Sequence, residues 1–113
     1  MITIYHNPRC QKSRQTLNLI EESGKKFETV LYLEDVPTKK KLKELLHLLG
    51  INAEDLIRKG ESIYKEKYKG KSLTEAQWIS AMVEYPKLIE RPIVVKGQKA
   101  VIGRPPELVS ALL

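Results

Sequence analysis

The 113-residue sequence contains one cysteine, one tryptophan, one phenylalanine and no long apolar run. A single cysteine excludes an internal disulfide. No stretch reaches the roughly 20 apolar residues that a membrane-spanning helix needs. The first residues lack the basic segment and apolar stretch of a secretory signal, so we expect no export and no membrane association. These absences together predict a cytoplasmic protein kept in a reducing compartment.

The composition that is present is typical of one folded domain, with 42% hydrophobic and 30% charged residues. The net charge of +6 favours an anionic partner without deciding between nucleic acid and a small oxyanion. The basic run at 39–43 carries leucines at helical spacing, which favours a solvated helix face over a nucleic-acid stripe, so we expect no nucleic-acid binding. One cysteine and two distant histidines, His6 and His47, do not form a metal site.

Hydrophobic periodicity, caps and turn residues predict the order of secondary structure elements. The predicted strands are 2–5 and 27–34, with a hairpin at 92–103. The predicted helices are 11–23, one from a Thr38 cap to Gly50, 52–57, 75–84 and one at the end of the chain from Pro105. The polar segment 58–72 is predicted to be loop with broken helix.

This order predicts an α/β protein with a small mixed sheet and helices on both of its sides, because a β-α-β unit requires parallel strands and a hairpin adds antiparallel ones. Without the helices at about 38–86, the order is β-α-β followed by β-β-α, as in a thioredoxin-like fold. We therefore predict one thioredoxin-like domain over 1–113 with a helical insertion at about 38–86. In that fold a reactive cysteine follows the first strand and opens the first helix, which is where Cys10 stands.

Cys10 lies in the segment NPRCQKSR, between an Asn-Pro turn and a predicted helix. A helix N-terminus carries a partial positive charge and free N–H groups, which stabilise a thiolate and also bind an oxyanion. Ser13 can donate a hydroxyl hydrogen bond to the sulfur, Arg14 shares the same helix face, and His6 is close in sequence. The alternative is a small apolar residue that fills space, but the cationic neighbours disfavour it.

The motif around Cys10 is C-x-x-S, because Ser13 fills the position of a second, resolving cysteine. If Cys10 turns over, another molecule must supply the next thiol. This constraint predicts a low-molecular-weight thiol or a redox protein as co-substrate.

Three arginines, Arg58, Arg91 and Arg104, are candidate oxyanion ligands because guanidinium groups bind tetrahedral oxyanions bidentately. Pro92 opens a predicted strand, and X-Pro is where cis peptide bonds occur. Without a fold to bring them together, the alternative is three separate surface arginines.

Two segments carry a resemblance to a known family. The segment IYHNPRCQKSRQTL resembles the active-site segment of the glutaredoxin-coupled bacterial arsenate reductases, and LIERPIVVKGQKAVIGRPPE resembles the second signature of that family. The resemblance covers nearly the whole chain. It implies a thioredoxin-like fold with a helical insertion and an oxidoreductase that reduces arsenate.

The resemblance also implies a role for the residues of the first segment. Cys10 would be the nucleophile that forms a covalent cysteine–arsenate adduct, with His6 and Ser13 in supporting catalytic roles. Glutathione, as co-substrate, would attack the adduct, and glutaredoxin would remove it so that arsenite is released.

The second set of implied roles concerns substrate binding. Arg58, Arg91 and Arg104 would bind arsenate and lower the pKa of the thiol, and Pro92 would be the cis-proline that faces the cysteine. We expect no bound cofactor, no metal and a monomer.

Two alternative functions stay open. The first is a general glutathione-dependent thiol reductase, because Arg9 and Lys12 replace small residues often found beside the family's nucleophile. The second is a transcription regulator of the Spx type, which shares the fold and the Arg-Pro strand and binds the RNA polymerase α subunit. Ser13 excludes the intramolecular thiol switch of many such regulators, and Arg104 in GRPPE fits the reductase pattern better.

Overall fold

The structure is a computed structural model that describes all residues, Met1–Leu113. The chain divides into two compact units. We call Met1–Asp35 with Arg91–Leu113 the sheet unit, and Val36–Glu90 the helical unit. None of the helices has the length and apolar character that crossing a bilayer requires. The single-domain organisation predicted from the sequence stays a prediction.

The sheet unit contains one four-stranded mixed sheet. Its strands are β1 (Ile2–Tyr5), β2 (Phe27–Val30), β3 (Ile93–Lys96) and β4 (Lys99–Ile102). Strand β1 pairs in parallel with β2 and antiparallel with β3, and β3 pairs antiparallel with β4, so the order is β2-β1-β3-β4. The predicted α/β class and mixed sheet are confirmed.

Helix α1 (Gln11–Glu22) connects β1 to β2, and a 3-10 helix (Pro106–Leu112) ends the chain. These two helices pack on each other, and the 3-10 helix also contacts β3 and β4. Their buried apolar side chains form one cluster with those of the sheet, namely Ile2, Ile4, Ile20, Val94, Val109 and Leu112. Burial of each such large aliphatic side chain contributes about 1.5–3 kcal/mol to folding stability. The cluster therefore stabilises the sheet from which the loop after β1 emerges.

The helical unit consists of short helices with well-defined caps. Its elements are α2 (Lys39–Leu49), a 3-10 turn (Ala53–Leu56), α3 (Ser62–Lys67), α4 (Glu75–Glu84) and a second 3-10 turn (Pro86–Leu88). Thr38 Oγ1 accepts a hydrogen bond from the Lys41 N–H at 3.1 Å. Thr74 forms a capping box with Gln77, because each accepts a hydrogen bond from the backbone N–H of the other. Both predicted threonine caps are confirmed.

Two elements differ from the sequence prediction. Strand β2 ends at Val30 rather than at residue 34, because the chain turns back through hydrogen bonds from the Glu34 and Asp35 N–H groups to the Leu31 carbonyl, at 3.0 and 2.8 Å. Apolar residues after Val30 therefore serve a turn with a buried side chain, Tyr32, and not strand pairing. The final helix is of the 3-10 type. The remaining boundaries agree with the prediction within the usual one or two residues.

Candidate functional site

Cys10 is the N-cap residue of α1 and has extended backbone angles, φ −95° and ψ 121°. Its N–H donates to the Asn7 carbonyl at 3.0 Å, and its own carbonyl accepts from the Arg14 N–H at 3.0 Å. The side chain is half-buried. The sulfur therefore lies at the helix N-terminus, and the backbone N–H of Ser13 donates a hydrogen bond to it.

Two arginines of the sheet unit reach the same sulfur. Arg104 Nη1 lies 3.7 Å from Cys10 Sγ and donates to the Arg91 carbonyl at 3.3 Å. Arg91 is only 8% exposed, and its guanidinium also hydrogen-bonds to the thiol. The β3–β4 pairing explains this convergence, because the Gly103 N–H donates to the Pro92 carbonyl at 2.9 Å and so places the two flanking arginines side by side.

The environment of Cys10 favours the thiolate. Burial alone would raise the pKa of the Cys10 thiol. The hydrogen bond from the Ser13 N–H, the hydrogen bonds from Arg91 and Arg104 and the charge of Arg91 lower this pKa, and together they outweigh burial. The net result is a thiol pKa below its ordinary value.

His6, Asn7 and Ser13 form a buried hydrogen-bonded cluster beneath Cys10. His6 Nδ1 lies 2.6 Å from Ser13 Oγ, and the Asn7 N–H donates to Ser13 Oγ at 3.0 Å. Burial, together with the charge of Arg14, lowers the pKa of His6. The imidazole is therefore neutral at neutral pH, and its Nδ1 shares a hydrogen bond with the Ser13 hydroxyl.

This cluster corrects one expectation from the sequence. The expected hydrogen bond from the Ser13 hydroxyl to the Cys10 sulfur is wrong, because that hydroxyl is engaged by His6 and Asn7. The backbone N–H of Ser13 bonds to the sulfur instead. Ser13 thus supports the thiol through its main chain and the preceding loop through its side chain.

The other cations of the segment lie at the surface. Arg9, Lys12 and Arg14 are exposed. Arg14 Nη1 donates to the Pro8 carbonyl at 2.8 Å, which ties the loop to the first turn of α1. Arg14 follows Cys10 by one helical turn, as expected, and its guanidinium contacts the preceding loop.

Pro92 is buried, and its peptide bond with Arg91 is cis, as the resemblance implies. Arg58 belongs to the helical unit. There its Nη1 lies 3.0 Å from Glu90 Oε1, and its Nε lies 3.4 Å from Glu61 Oε1. The part of Arg58 in oxyanion binding stays a prediction.

Two residues of the site were not identified from the sequence. The side-chain oxygen of Asn7 accepts a hydrogen bond from the Arg9 N–H at 3.0 Å, and its main-chain carbonyl accepts one from the Cys10 N–H at 3.0 Å. This pattern is typical of an Asn that opens a turn, and the Asn-Pro dipeptide was its signal. Tyr32 is 1% exposed and lies close to Asn7, Arg91 and Cys10, but nothing in its local sequence indicates this.

The geometry combines a nucleophile with an anion-binding environment. Helix N–H groups and two guanidinium groups surround a sulfur whose pKa is lowered, and both kinds of donor bind tetrahedral oxyanions well. The arrangement can therefore place an oxyanion against a thiolate.

The chain is similar in sequence and in fold to known proteins. The ArsC family model matches residues 5–112. An uncharacterized protein of Escherichia coli K12, YfgD, is 54% identical over 110 residues, which cover 96% of this chain and 92% of that protein. A Neisseria meningitidis serogroup A protein named arsenate reductase is 40% identical over 114 residues, covering 99% of this chain and 97% of that protein.

A solved structure agrees over the same length. The arsenate reductase from Vibrio cholerae superposes with a TM-score of 0.94 at 46% identity, covering 99% of this chain and 97% of that one. The predicted thioredoxin-like fold is confirmed.

Proposed function

Because the chain belongs to the ArsC family, we propose that it is an arsenate reductase with Cys10 as its nucleophile. One observation carries the proposal. The single thiol of the chain lies at the N-terminus of α1, with Arg104 at 3.7 Å and with a lowered pKa. A relative that matches nearly the whole chain bears the same activity in its name.

The first step is attack of the Cys10 thiolate on the arsenic of arsenate. The sulfur–arsenic bond forms with the sulfur electron pair, and one arsenic–oxygen bond breaks. The departing oxygen takes up two protons and leaves as water, so arsenic stays in the +5 state. Arg91, Arg104 and the Ser13 N–H stabilise the charge on the arsenate oxygens and on the sulfur.

External thiols complete the reaction, since the chain has no second cysteine. The glutathione thiol displaces a second arsenic-bound oxygen, which leaves as water. A glutaredoxin thiolate then attacks the glutathione sulfur. The bond between the glutathione sulfur and arsenic breaks, and its electron pair stays on arsenic, which is thereby reduced from +5 to +3. Glutathione leaves as a mixed disulfide with glutaredoxin, and water hydrolyses the bond between Cys10 and arsenic to release arsenite.

The remaining residues of the proposal have supporting roles. His6 and Ser13 hold the loop that carries Cys10, as their 2.6 Å contact supports. Arg58 is proposed as a third arsenate ligand on the resemblance alone. We further propose that the enzyme works in the cytoplasm as a monomer and binds no resident cofactor.

A coupled assay tests the proposal. NADPH consumption is followed with glutathione, glutaredoxin and glutathione reductase, with and without arsenate, for the unaltered protein and for Cys10→Ser. We expect arsenate-dependent turnover that disappears in Cys10→Ser. Equal melting temperatures of the two proteins would show that the fold is kept.

The same assay distinguishes the alternatives. Turnover of a glutathione mixed disulfide without any response to arsenate would indicate a general thiol reductase, which the exposed Arg9 and Lys12 beside Cys10 would favour. A Cys10 that reacts with neither arsenate nor glutathione would indicate the regulator, and capture of the RNA polymerase α subunit would then be the next experiment.

A further inference from the structure

Tyr32 lies two residues beyond the end of strand β2, in the sheet unit that also carries Cys10. Strands β1 and β2 are parallel, with Tyr5 opposite Val30, and the His6 N–H donates to the Val30 carbonyl at 2.9 Å. The chain segments that leave the two strands therefore start side by side, one toward Cys10 and the other toward Tyr32. The side chain of Tyr32 is 1% exposed.

The hydroxyl of Tyr32 is buried without a hydrogen-bond partner. A buried hydroxyl that lacks a partner costs about 1–3 kcal/mol, and most buried polar groups in folded proteins have one. Phenylalanine would fill the same space without this cost. The phenolic hydrogen thus has no acceptor in the structure, and a ligand that brings an acceptor would satisfy it.

The neighbours of the hydroxyl narrow the chemistry of that partner. The Asn7 side chain and the Arg91 guanidinium direct donor groups toward the phenolic oxygen, outside the geometry of a full hydrogen bond, and Cys10 is close to it. A guanidinium can only donate hydrogen bonds, and the Asn7 side-chain oxygen already accepts from the Arg9 N–H. No acceptor lies within hydrogen-bond geometry of the phenolic hydrogen, and an oxyanion held beside Cys10 would supply one.

The protonation state of Tyr32 suits this role. Burial raises the pKa of Tyr32 to about 12. The phenol therefore stays neutral and keeps its hydrogen at the neutral pH at which the Cys10 thiolate would react. A carboxylate at this place would pair with Arg91 and neutralise it. A neutral phenol leaves the charge of Arg91 available to the anion.

We propose that Tyr32 is a further anion-binding residue of the Cys10 site, and that its hydroxyl donates a hydrogen bond to an oxygen of a tetrahedral oxyanion held beside Cys10. The identification of that oxyanion as arsenate rests on the proposed function. The hydrogen bond itself requires only the tetrahedral anion and the buried Tyr32 hydroxyl that has no full hydrogen bond, next to the strand that leads to Cys10 and close to Arg91.

Protection of Cys10 from alkylation by inorganic phosphate tests this role without requiring turnover. Iodoacetamide reacts with the single thiol, and increasing phosphate slows the reaction as the anion site fills. In Tyr32→Phe we expect half-protection to need about tenfold more phosphate, because a hydrogen bond to a charged group is lost. Tyr64→Phe, which removes a hydroxyl from a ring that stacks on Trp78 in the helical unit, should behave like the unaltered protein.

The melting temperature separates this role from a structural one. Because the hydroxyl has no partner in the structure, Tyr32→Phe should melt at the same temperature as the unaltered protein or higher. A clear fall in melting temperature would overturn the inference, since the hydroxyl would then hold the fold. Unchanged half-protection in Tyr32→Phe, or no protection of the unaltered protein by phosphate, would overturn it as well.

Failure of this inference can be told from failure of the proposed function. If phosphate protects the unaltered protein and Tyr32→Phe weakens that protection while arsenate gives no turnover, the proposed function fails and the anion contact stands. If arsenate turns over with the same KM in both proteins, the role of Tyr32 fails and the reductase stands.

Discussion

Replacement of Arg104 by alanine should reduce the reactivity of Cys10 at neutral pH. Arg104 Nη1 lies 3.7 Å from the sulfur. Two unit charges about 4 Å apart attract by about 1 kcal/mol in water and by about 4 kcal/mol near a protein surface. Both side chains are half-exposed, so solvent screening places the loss near the lower value, at about 1–2 kcal/mol. This corresponds to a roughly fivefold to thirtyfold smaller thiolate population below the pKa.

The rate of iodoacetamide alkylation as a function of pH measures this population. The pKa of Cys10 is lowered in part by Arg104, so the profile of Arg104→Ala should shift to higher pH. At high pH both thiols are fully ionised, and the deficit of Arg104→Ala that comes from its smaller thiolate population should disappear. Arg9→Ala is the matched control, because Arg9 is exposed and adjoins Cys10 in sequence while Cys10 owes none of its lowered pKa to it.

A profile of Arg104→Ala that coincides with that of the unaltered protein would contradict the role of Arg104 in lowering the thiol pKa. An equal shift of the profile in Arg9→Ala and in Arg104→Ala would contradict this role as well. In the second case the general positive charge of the chain, and not the contact at 3.7 Å, would set the thiol pKa.

Three further predictions concern the support of the site and the fold. Burial and the charge of Arg14 hold the pKa of His6 below 6.5, so an NMR titration of His6 should have its midpoint below 6.5, and the midpoint should be higher in Arg14→Gln. Because the unfolded chain then binds a proton more readily than the folded one, folding stability should fall as the pH drops below about 6.5. A midpoint above 6.5 would contradict this. Ser13→Ala leaves two buried partners unpaired and should cost about 2 kcal/mol in urea unfolding, with no such loss in the exposed Ser72→Ala. Thr74→Ala removes a capping box and should cost about 1 kcal/mol, and an unchanged unfolding midpoint would contradict the cap.

Local signals in the sequence were sufficient for much of the fold. Thr38 and Thr74 begin helices because their hydroxyls accept backbone hydrogen bonds within one turn, which depends only on neighbouring residues. Cys10 was placed at a helix start for a similar reason, since the Asn-Pro turn precedes it. Strand β2 was predicted too long because an apolar run such as that around Tyr32 has the same pattern in a strand and in a buried turn.

The candidate site was predicted only in part, because its contacts join distant segments. The convergence of Arg91 and Arg104 follows from the register of a hairpin, which the sequence predicts, but the distance to Cys10 depends on how β3 pairs with β1. The Ser13 hydroxyl is hydrogen-bonded to His6 and not to the sulfur. Residue spacing alone does not predict which of these two nearby partners it contacts. No local pattern in the sequence indicates Tyr32, because its position next to the loop that carries Cys10 depends on the parallel pairing of β1 and β2.

Direct determination of arsenite tests the central claim, that Cys10 is the residue through which arsenate is reduced. Arsenate, glutathione and glutaredoxin are incubated with the unaltered protein or with Cys10→Ser, and the arsenic species are separated and quantified. We predict arsenite in proportion to the amount of unaltered protein, and none above the protein-free background with Cys10→Ser. Arsenite formation by Cys10→Ser at the rate of the unaltered protein, or no arsenite with either, would contradict the account.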